Sequence, residues 1–174
     1  VAALKRMVDA FSQYARAPEP AMRELDLNAL LREVLTLYES SASMIKLELA
    51  EALPRLTGDA AQLRQVVHNL LQNAQDALAD TPEPRITLAT RLVGTSIRLT
   101  VSDNGTGFPD HLIKRAFEPY VTTKKKGTGL GLVIVKKIIE EHGGLVAIGN
   151  IEPHGACITL TFPLARAQDV AAAA

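Results

Sequence analysis

An excess of charge of either sign is missing from this chain. Lys+Arg and Asp+Glu each number 19 in 174 residues, so no net field favours nucleic acid or an anionic membrane as partner. Cysteine is nearly missing as well. Cys157 stands alone, which excludes an internal disulfide and any multi-cysteine metal site. No apolar run approaches the roughly 20 residues of a membrane span, and no secretory signal opens the chain, which gives it a cytosolic character. Internal repeats are absent. So are the common phosphate motifs: there is no Gly-x-x-x-x-Gly-Lys-Ser/Thr, and no Gly-x-Gly-x-x-Gly between a strand and a helix. The His-Arg-Asp and Asp-Phe-Gly triplets of protein kinases do not occur either.

What is present is a soluble globular composition, 47% hydrophobic and 22% charged, in a chain long enough for one domain with a core. Two glycine clusters dominate it, Asp103-Asn104-Gly105-Thr106-Gly107 and Gly127-Thr128-Gly129-Leu130-Gly131. The first follows an apolar-alternating strand and the second opens an apolar helix. Glycine lets backbone approach a ligand closely, and a helix start offers unpaired N–H groups to a phosphate. Between the clusters lies a polar segment with Phe117, Pro119, Tyr120 and the run Lys124-Lys125-Lys126. This arrangement predicts a nucleotide pocket with the clusters as walls. Residues 108–127 are expected to form its lid, ordering over bound nucleotide.

The remaining chain is patterned around that region. Residues 1–17 carry an amphipathic stripe (Leu4, Met7, Val8, Phe11, Tyr14, Ala15) that Pro18 and Pro20 end. Such a helix packs on its own domain or belongs to a helical bundle. A short strand is expected at Leu25-Asp26-Leu27, then a helix capped by Asn28 and running to residue 41, with Leu30, Leu31, Val34, Leu37 and Tyr38 inward. Ile45, Leu47 and Leu49 alternate as a strand, and Pro54 and Gly58 turn the chain back. Asp59 caps the longest helix, to about residue 79, with its core stripe at Leu63, Val66, Val67, Leu70, Leu71, Ala74 and Leu78. Asn69, Asn73 and Asp76 share one flank of that stripe, as ligands or as a solvated edge. Strands at 85–93 and 96–102 meet at Gly94-Thr95, with Ile86, Leu88 and Leu92 on one apolar face. A helix over 128–142 ends at Gly143-Gly144, and a hairpin over 145–162 closes the chain, with Cys157 on its polar face. The fold class is α+β: a two-layer sandwich of three helices on one face of a mixed, mostly antiparallel five-stranded sheet. Residues 171–174 receive no function.

The order of these motifs resembles the catalytic ATP-binding domain of sensor histidine kinases, in the wider family shared with gyrase, Hsp90 and the mismatch-repair ATPases. The resemblance covers residues 25–163. His68-Asn69-Leu70-Leu71-Gln72-Asn73-Ala74 is similar to the N box, the first glycine cluster to the first glycine box, Phe117-Glu118-Pro119-Tyr120 to the F box, and the second cluster to the second glycine box. Gly155-Ala156-Cys157-Ile158 fits a weaker closing motif. The resemblance implies ATP and Mg²⁺ as cofactors. Asp103 then accepts a hydrogen bond from the adenine amine, Asn73 ligates Mg²⁺, and Asn69 sits near the metal and phosphates. Asn69, Asn73 and Lys124 are the implied catalytic residues. Implied nucleotide contacts add Asp76, Gly105, Gly107, Phe117, Thr123, Gly127, Thr128, Gly129, Leu130 and Gly131. Lys124 neutralises phosphate charge, although a lysine run also serves as a solvated surface.

Family members that transfer the phosphoryl group to water carry a glutamate four residues before the metal-binding asparagine. Here Asn69 occupies that place and cannot take a proton, which favours transfer to a protein side chain. Residues 4–16 resemble the second helix of a dimerisation and phosphotransfer bundle, most like the nitrogen-regulation class. The resulting division is 1–17 partial bundle helix, 18–24 linker, 25–163 catalytic domain and 164–174 tail. The phosphoaccepting histidine belongs on a preceding helix. None of His68, His111, His142 and His154 is followed by an acidic residue and, five positions on, by proline, as a histidine box requires. His68 falls on the N-box helix, His142 at a helix C-terminus where a cation suits the dipole, and the other two in loops. The chain alone is therefore not expected to phosphorylate itself. The resemblance further implies a homodimeric full-length kinase, a response-regulator receiver domain as partner, and a cytoplasmic location. An inner-membrane anchor elsewhere in the full-length protein stays open. An anti-sigma-factor-type serine kinase and a nucleotide-sensing module are the alternatives.

Overall fold

Two aspartates start the first two helices. Asp26 and Asp59 both hold extended backbone, at φ −95°. Each accepts a hydrogen bond from the third residue on: Asp26 from Ala29 N at 3.1 Å and Asp59 from Gln62 N at 3.2 Å. A carboxylate so placed satisfies one of the N–H groups that a helix start leaves unpaired. Helix α1 (Leu27–Leu35) follows the first and α2 (Ala60–Ala77) the second. The computed structural model of the chain describes residues 4–6, 8, 9, 20–118 and 131–164.

The seven residues of the expected α2 stripe, from Leu63 to Leu78, are all buried. Burying one such large aliphatic side chain is worth about 1.5–3 kcal/mol, so this stripe anchors α2 to the sheet. That sheet has five strands in the order β2 (Ile45–Glu48), β4 (Ile86–Val93), β5 (Ser96–Asp103), β7 (Ala156–Pro163) and β6 (Leu145–Asn150). Only the β2–β4 pair is parallel. Alternation along β4, β5 and β7 turns Ile86, Leu88, Ile97, Leu99, Ile158 and Leu160 into one core with α1, α2 and α4 (Gly131–Glu141). Cys157 lies on the other, polar face, with Sγ 3.9 Å from Thr159 Oγ1. Gly143, at φ +72°, ends α4 in the left-handed region that glycine tolerates best. A four-residue helix, α3 (Asp110–Ile113), follows the first glycine cluster.

Several local expectations are corrected. The first strand, β1, is Arg23–Leu25, and it pairs antiparallel with β3 (Leu56–Gly58), so Gly58 lies in a strand rather than a turn. Asp26 and Leu27 belong to the cap and first turn of α1. Asn28 is inside that helix: Nδ2 donates to Ala50 O at 2.8 Å, and Oδ1 accepts from Thr90 Oγ1 at 2.8 Å. Buried amides need such partners, and here they outweigh the local capping preference. Helix α1 also stops earlier than expected. The chain continues as a 3-10 turn, Thr36–Ser41, in which Tyr38 leaves helical geometry and Leu37 is 79% exposed. Leu92, on the inner face of β4, runs past the edge of the core and is 45% exposed.

Leu4–Arg6, Val8 and Asp9 are helical, with Leu4 and Val8 exposed. No helix among the described residues is long and apolar enough to cross a membrane.

Candidate functional site

Strand β5 ends by placing a carboxylate at the bottom of a cavity. Asp103 is 8% exposed. Its Oδ1 accepts from Gly105 N at 2.9 Å and from Ala156 N at 3.3 Å. Oδ2 has no protein partner among the described residues. Burial pushes the Asp103 pKa up, and the two N–H groups pull it only part of the way back. The cavity beside it measures about 360 Å³. Asn73, Asp76 and Ala77 of α2 form one wall, and Val101, Leu132 and Ile158 contribute apolar surface. A buried acceptor in a mostly apolar cleft suits a flat heterocycle with an exocyclic amine.

The first glycine cluster forms the opposite rim because two elements hold it. A Cβ on Gly105 would stand 2.9 Å from Ala77 O at the end of α2. Gly107 has φ +79°, and a Cβ there would stand 2.7 Å from Asn150 Oδ1. Asn104 fixes the loop to the start of β4 by accepting from Arg85 N at 2.7 Å and donating to Glu83 O at 3.0 Å.

At the other end of the cavity, α4 begins against α2. The Asn73 amide oxygen lies 3.8 Å from where a Cβ on Gly131 would be. The side chain of Asn73 thus lies beside the first described turn of α4. Among the described residues no cluster of three or more His, Cys, Asp or Glu could cage a metal. A neutral amide oxygen does suit Mg²⁺, which keeps most of its waters and shares the rest of its shell with phosphates.

The expected site residues divide accordingly. Asn73, Asp76, Asp103 and Gly107 line the cavity, and Gly105 and Gly131 border it. Asn69 does not line it. One helical turn earlier on the same flank, it adjoins a second depression with Arg64, His68 and Leu37, and its Nδ2 is buried with no hydrogen-bond partner among the described residues. Phe117 also stands outside the cavity: Lys136 Nζ lies 5.4 Å from its ring centroid. Phe108, Leu112 and Ala116 supply the apolar lining instead. Thr123, Lys124, Gly127, Thr128, Gly129 and Leu130, with residues 119–127 of the expected lid, lie outside the described residues.

Sequence reasoning quoted Asn104 only as part of the glycine cluster and gave no site role to Asn150 or His154. Asn150 brackets Phe108, and His154 Nδ1 meets Gly105 O at 3.0 Å. Their spacing from the glycine cluster carries no periodic signal, because the hairpin between β6 and β7 brings them there.

A family model described as histidine kinase-, DNA gyrase B-, and HSP90-like ATPase matches residues 58–166. The nitrogen regulation protein NtrY of Azorhizobium caulinodans is 38% identical over 165 residues. The match takes in 90% of this chain and 21% of that protein. The chain thus spans about a fifth of that relative's length. The catalytic domain of histidine kinase ThkA, in a nucleotide-free form, has 35% identity and a TM-score of 0.73, covering 82% of this chain and 95% of that one. ThkA in complex with the response regulator TrrA has 30% identity and a TM-score of 0.78, covering 93% and 47%.

Proposed function

This chain belongs to the histidine kinase-, DNA gyrase B- and HSP90-like ATPases, and from that premise we propose that it binds ATP for transfer of the γ-phosphoryl group to a protein histidine. The observation that carries this reading is Asp103. It is buried at the cavity floor with one oxygen engaged by backbone and the other open.

The adenine amine donates to Asp103 Oδ2. Guanine would set a carbonyl against the same carboxylate, leaving both acceptors unpaired. Leu132, Ile158 and Phe108 flank the base. The phosphates run along α2 towards Asn73 and the start of α4, where unpaired N–H groups and the helix dipole favour negative charge. Asn73 Oδ1 would hold Mg²⁺, which would offset phosphate charge. Lys124, Thr123 and residues 127–130 complete the phosphate contacts. Asn69 lies one helical turn before Asn73 on the same flank of α2, where the family resemblance puts it near the metal and phosphates.

In the transfer, a histidine nitrogen attacks the γ-phosphorus, the bond from that phosphorus to the β–γ bridging oxygen breaks, and ADP leaves with that oxygen. Such a loose transition state asks mainly for alignment and charge neutralisation. Asn69 is no general base, so the site gives water no help. In its full-length setting the protein works as a homodimeric, two-component sensor kinase in the cytoplasm and passes the phosphoryl group to a receiver domain. The ThkA–TrrA complex supports this partner by analogy.

Titration calorimetry with ATP, ADP and GTP, with and without Mg²⁺, tests the proposal. ATP and ADP should bind with Mg²⁺ dependence and GTP far more weakly. Equal affinity for GTP would overturn the role of Asp103.

A further inference from the structure

The segment from Asn104 to Pro109 joins β5 to α3 outside any strand or helix. Its backbone N–H and C=O groups therefore need partners from elsewhere. Phe108 finds both on one side chain. Its N–H donates to Asn150 Oδ1 at 2.7 Å, and its carbonyl accepts from Asn150 Nδ2 at 2.9 Å. A carboxamide presenting donor and acceptor in one plane thus does for Phe108 what a neighbouring strand would do. Asn150 is the last residue of β6 and pairs with Ala156, whose own N–H reaches Asp103.

The same hairpin touches the loop twice more. His154 Nδ1 donates to Gly105 O at 3.0 Å. Gly155, at φ +133°, lies so close to Asp103 that a Cβ there would be 2.0 Å from its carbonyl oxygen. We propose that Asn150 is a positioning residue for the base end of the nucleotide pocket. By clamping Phe108 it fixes Gly107 and Phe108 at the rim and so sets the slot between them and Asp103. Asn150 is not among the residues lining the cavity, so it acts through the loop and not on the ligand. This inference rests on the nucleotide reading above.

The geometry separates this role from a purely structural one. Loss of the clamp should affect every ligand carrying the base, whatever its phosphate number. In Asn150→Ala the affinities for adenosine, ADP and ATP should fall by the same factor, about ten-fold for two lost hydrogen bonds. Asn150→Ser keeps one hydroxyl donor and acceptor and should recover part of the loss. Exchange of the Phe108 amide in nucleotide-free protein should accelerate in Asn150→Ala and less so in Asn150→Ser.

Calorimetry, amide exchange by NMR and a thermal melt on the three proteins decide the matter. Affinity unchanged in a folded Asn150→Ala protein would overturn the proposal. So would an affinity loss that grows with phosphate number, or one that Asn150→Ser does not relieve. Should Asn150→Ala fail to fold, the comparison of Asn150→Ser with the unaltered chain carries the test under the same criteria. If the unaltered chain binds no adenine nucleotide, the functional reading falls and this inference with it. If it binds while the variants match it, this inference alone falls.

Discussion

His142 accepts a 2.9 Å hydrogen bond at Nε2 from the backbone N–H of Asp59, 83 positions earlier in the chain. Its Nδ1 donates to Ile138 O at 2.7 Å. Both ring nitrogens are thereby engaged by backbone. At the end of α4, as its sequence position implied, His142 is a buried strut to the N-cap of α2. Those two helices carry the two walls of the phosphate end.

His142→Ala should therefore destabilise the domain by about 1–3 kcal/mol, since it empties the buried site of the ring and leaves the half-buried Asp59 N–H without its partner. Urea unfolding measures this through a lower midpoint at unchanged slope. A midpoint equal to that of the unaltered chain would mean that water replaces the imidazole at no cost.

Asp103→Asn separates binding from stability. Asparagine can still accept from Gly105 N and Ala156 N, and it removes a charge whose burial is unfavourable. The melting temperature should hold or rise. ATP affinity should fall by roughly 1–3 kcal/mol, because an amide no longer offers the adenine amine a charged acceptor. Paired calorimetry and thermal melts would reveal the split, and a variant that loses both together refutes it.

Acid should act on the two best-placed carboxylates in opposite directions. The Asp103 pKa is raised, mainly by burial. On acidification the folded state takes up this proton before the unfolded chain does, so this group gains folding stability as pH falls through its folded pKa. Nucleotide affinity should decline over the same range, above the ordinary carboxylate midpoint. For Asp59, burial opposes ionisation, but the N–H groups of Ala21, Gln62 and Ala61 and the nearby His142 outweigh it and lower the pKa. Its contribution is present above the unfolded pKa and is lost as pH falls through the lower folded value. A pH series of ATP affinity and melting temperature should thus show affinity falling first. Affinity that holds until the fold itself melts would contradict this ordering.

Much of this was legible in the sequence because it is local. The Asp59 cap, the α2 stripe, the β4–β5 hairpin at Gly94-Thr95 and the delivery of Asp103 all follow from period and turn chemistry within about 20 residues. The rest depends on contacts distant in sequence. Strands β1 and β3 have three residues each, too few to show alternation, and they exist because they pair with each other. Asn28 and Asp26 are both fair caps by residue type, and only the distant Ala50 and Thr90 decide between them. Asn150 and His154 look like ordinary turn-flanking polar residues until the hairpin lies beside Gly105 and Phe108.

Gly155 supplies a sharper test of that hairpin. A side chain there meets Asp103 O at 2.0 Å, and φ +133° lies where L residues are strained. Gly155→Ala should cost at least about 1–3 kcal/mol from backbone strain alone, and the shift must displace Asp103 at the cavity floor. Unfolding and ATP titration should both deteriorate. A stable variant with normal affinity would show that the hairpin gives way without disturbing the carboxylate.

The last prediction concerns the four histidines of this chain. His142 is buried with both ring nitrogens bonded. His68 shares Nδ1 with the Tyr38 hydroxyl, which lies 2.5 Å away. His154 holds Gly105 O through Nδ1, beside the base end of the cavity rather than at Asn73. His111 sits on α3, exposed, on the rim formed after the first glycine cluster. His142 and His154 are thus held away from Asn73, where the γ-phosphate is expected, and none of the four has the sequence of a histidine box. Phosphoryl transfer without an aligned acceptor loses the effective concentration that makes it fast. With Asn69 in place of a general base, water gains no compensating advantage. Incubated with labelled ATP and Mg²⁺, the chain should bind nucleotide, take up no acid-labile label and release little phosphate. Adding a separate dimerisation domain with an intact histidine box should place label on that added domain. Acid-labile label on His68, His111, His142 or His154 would show that the acceptor lies within this chain.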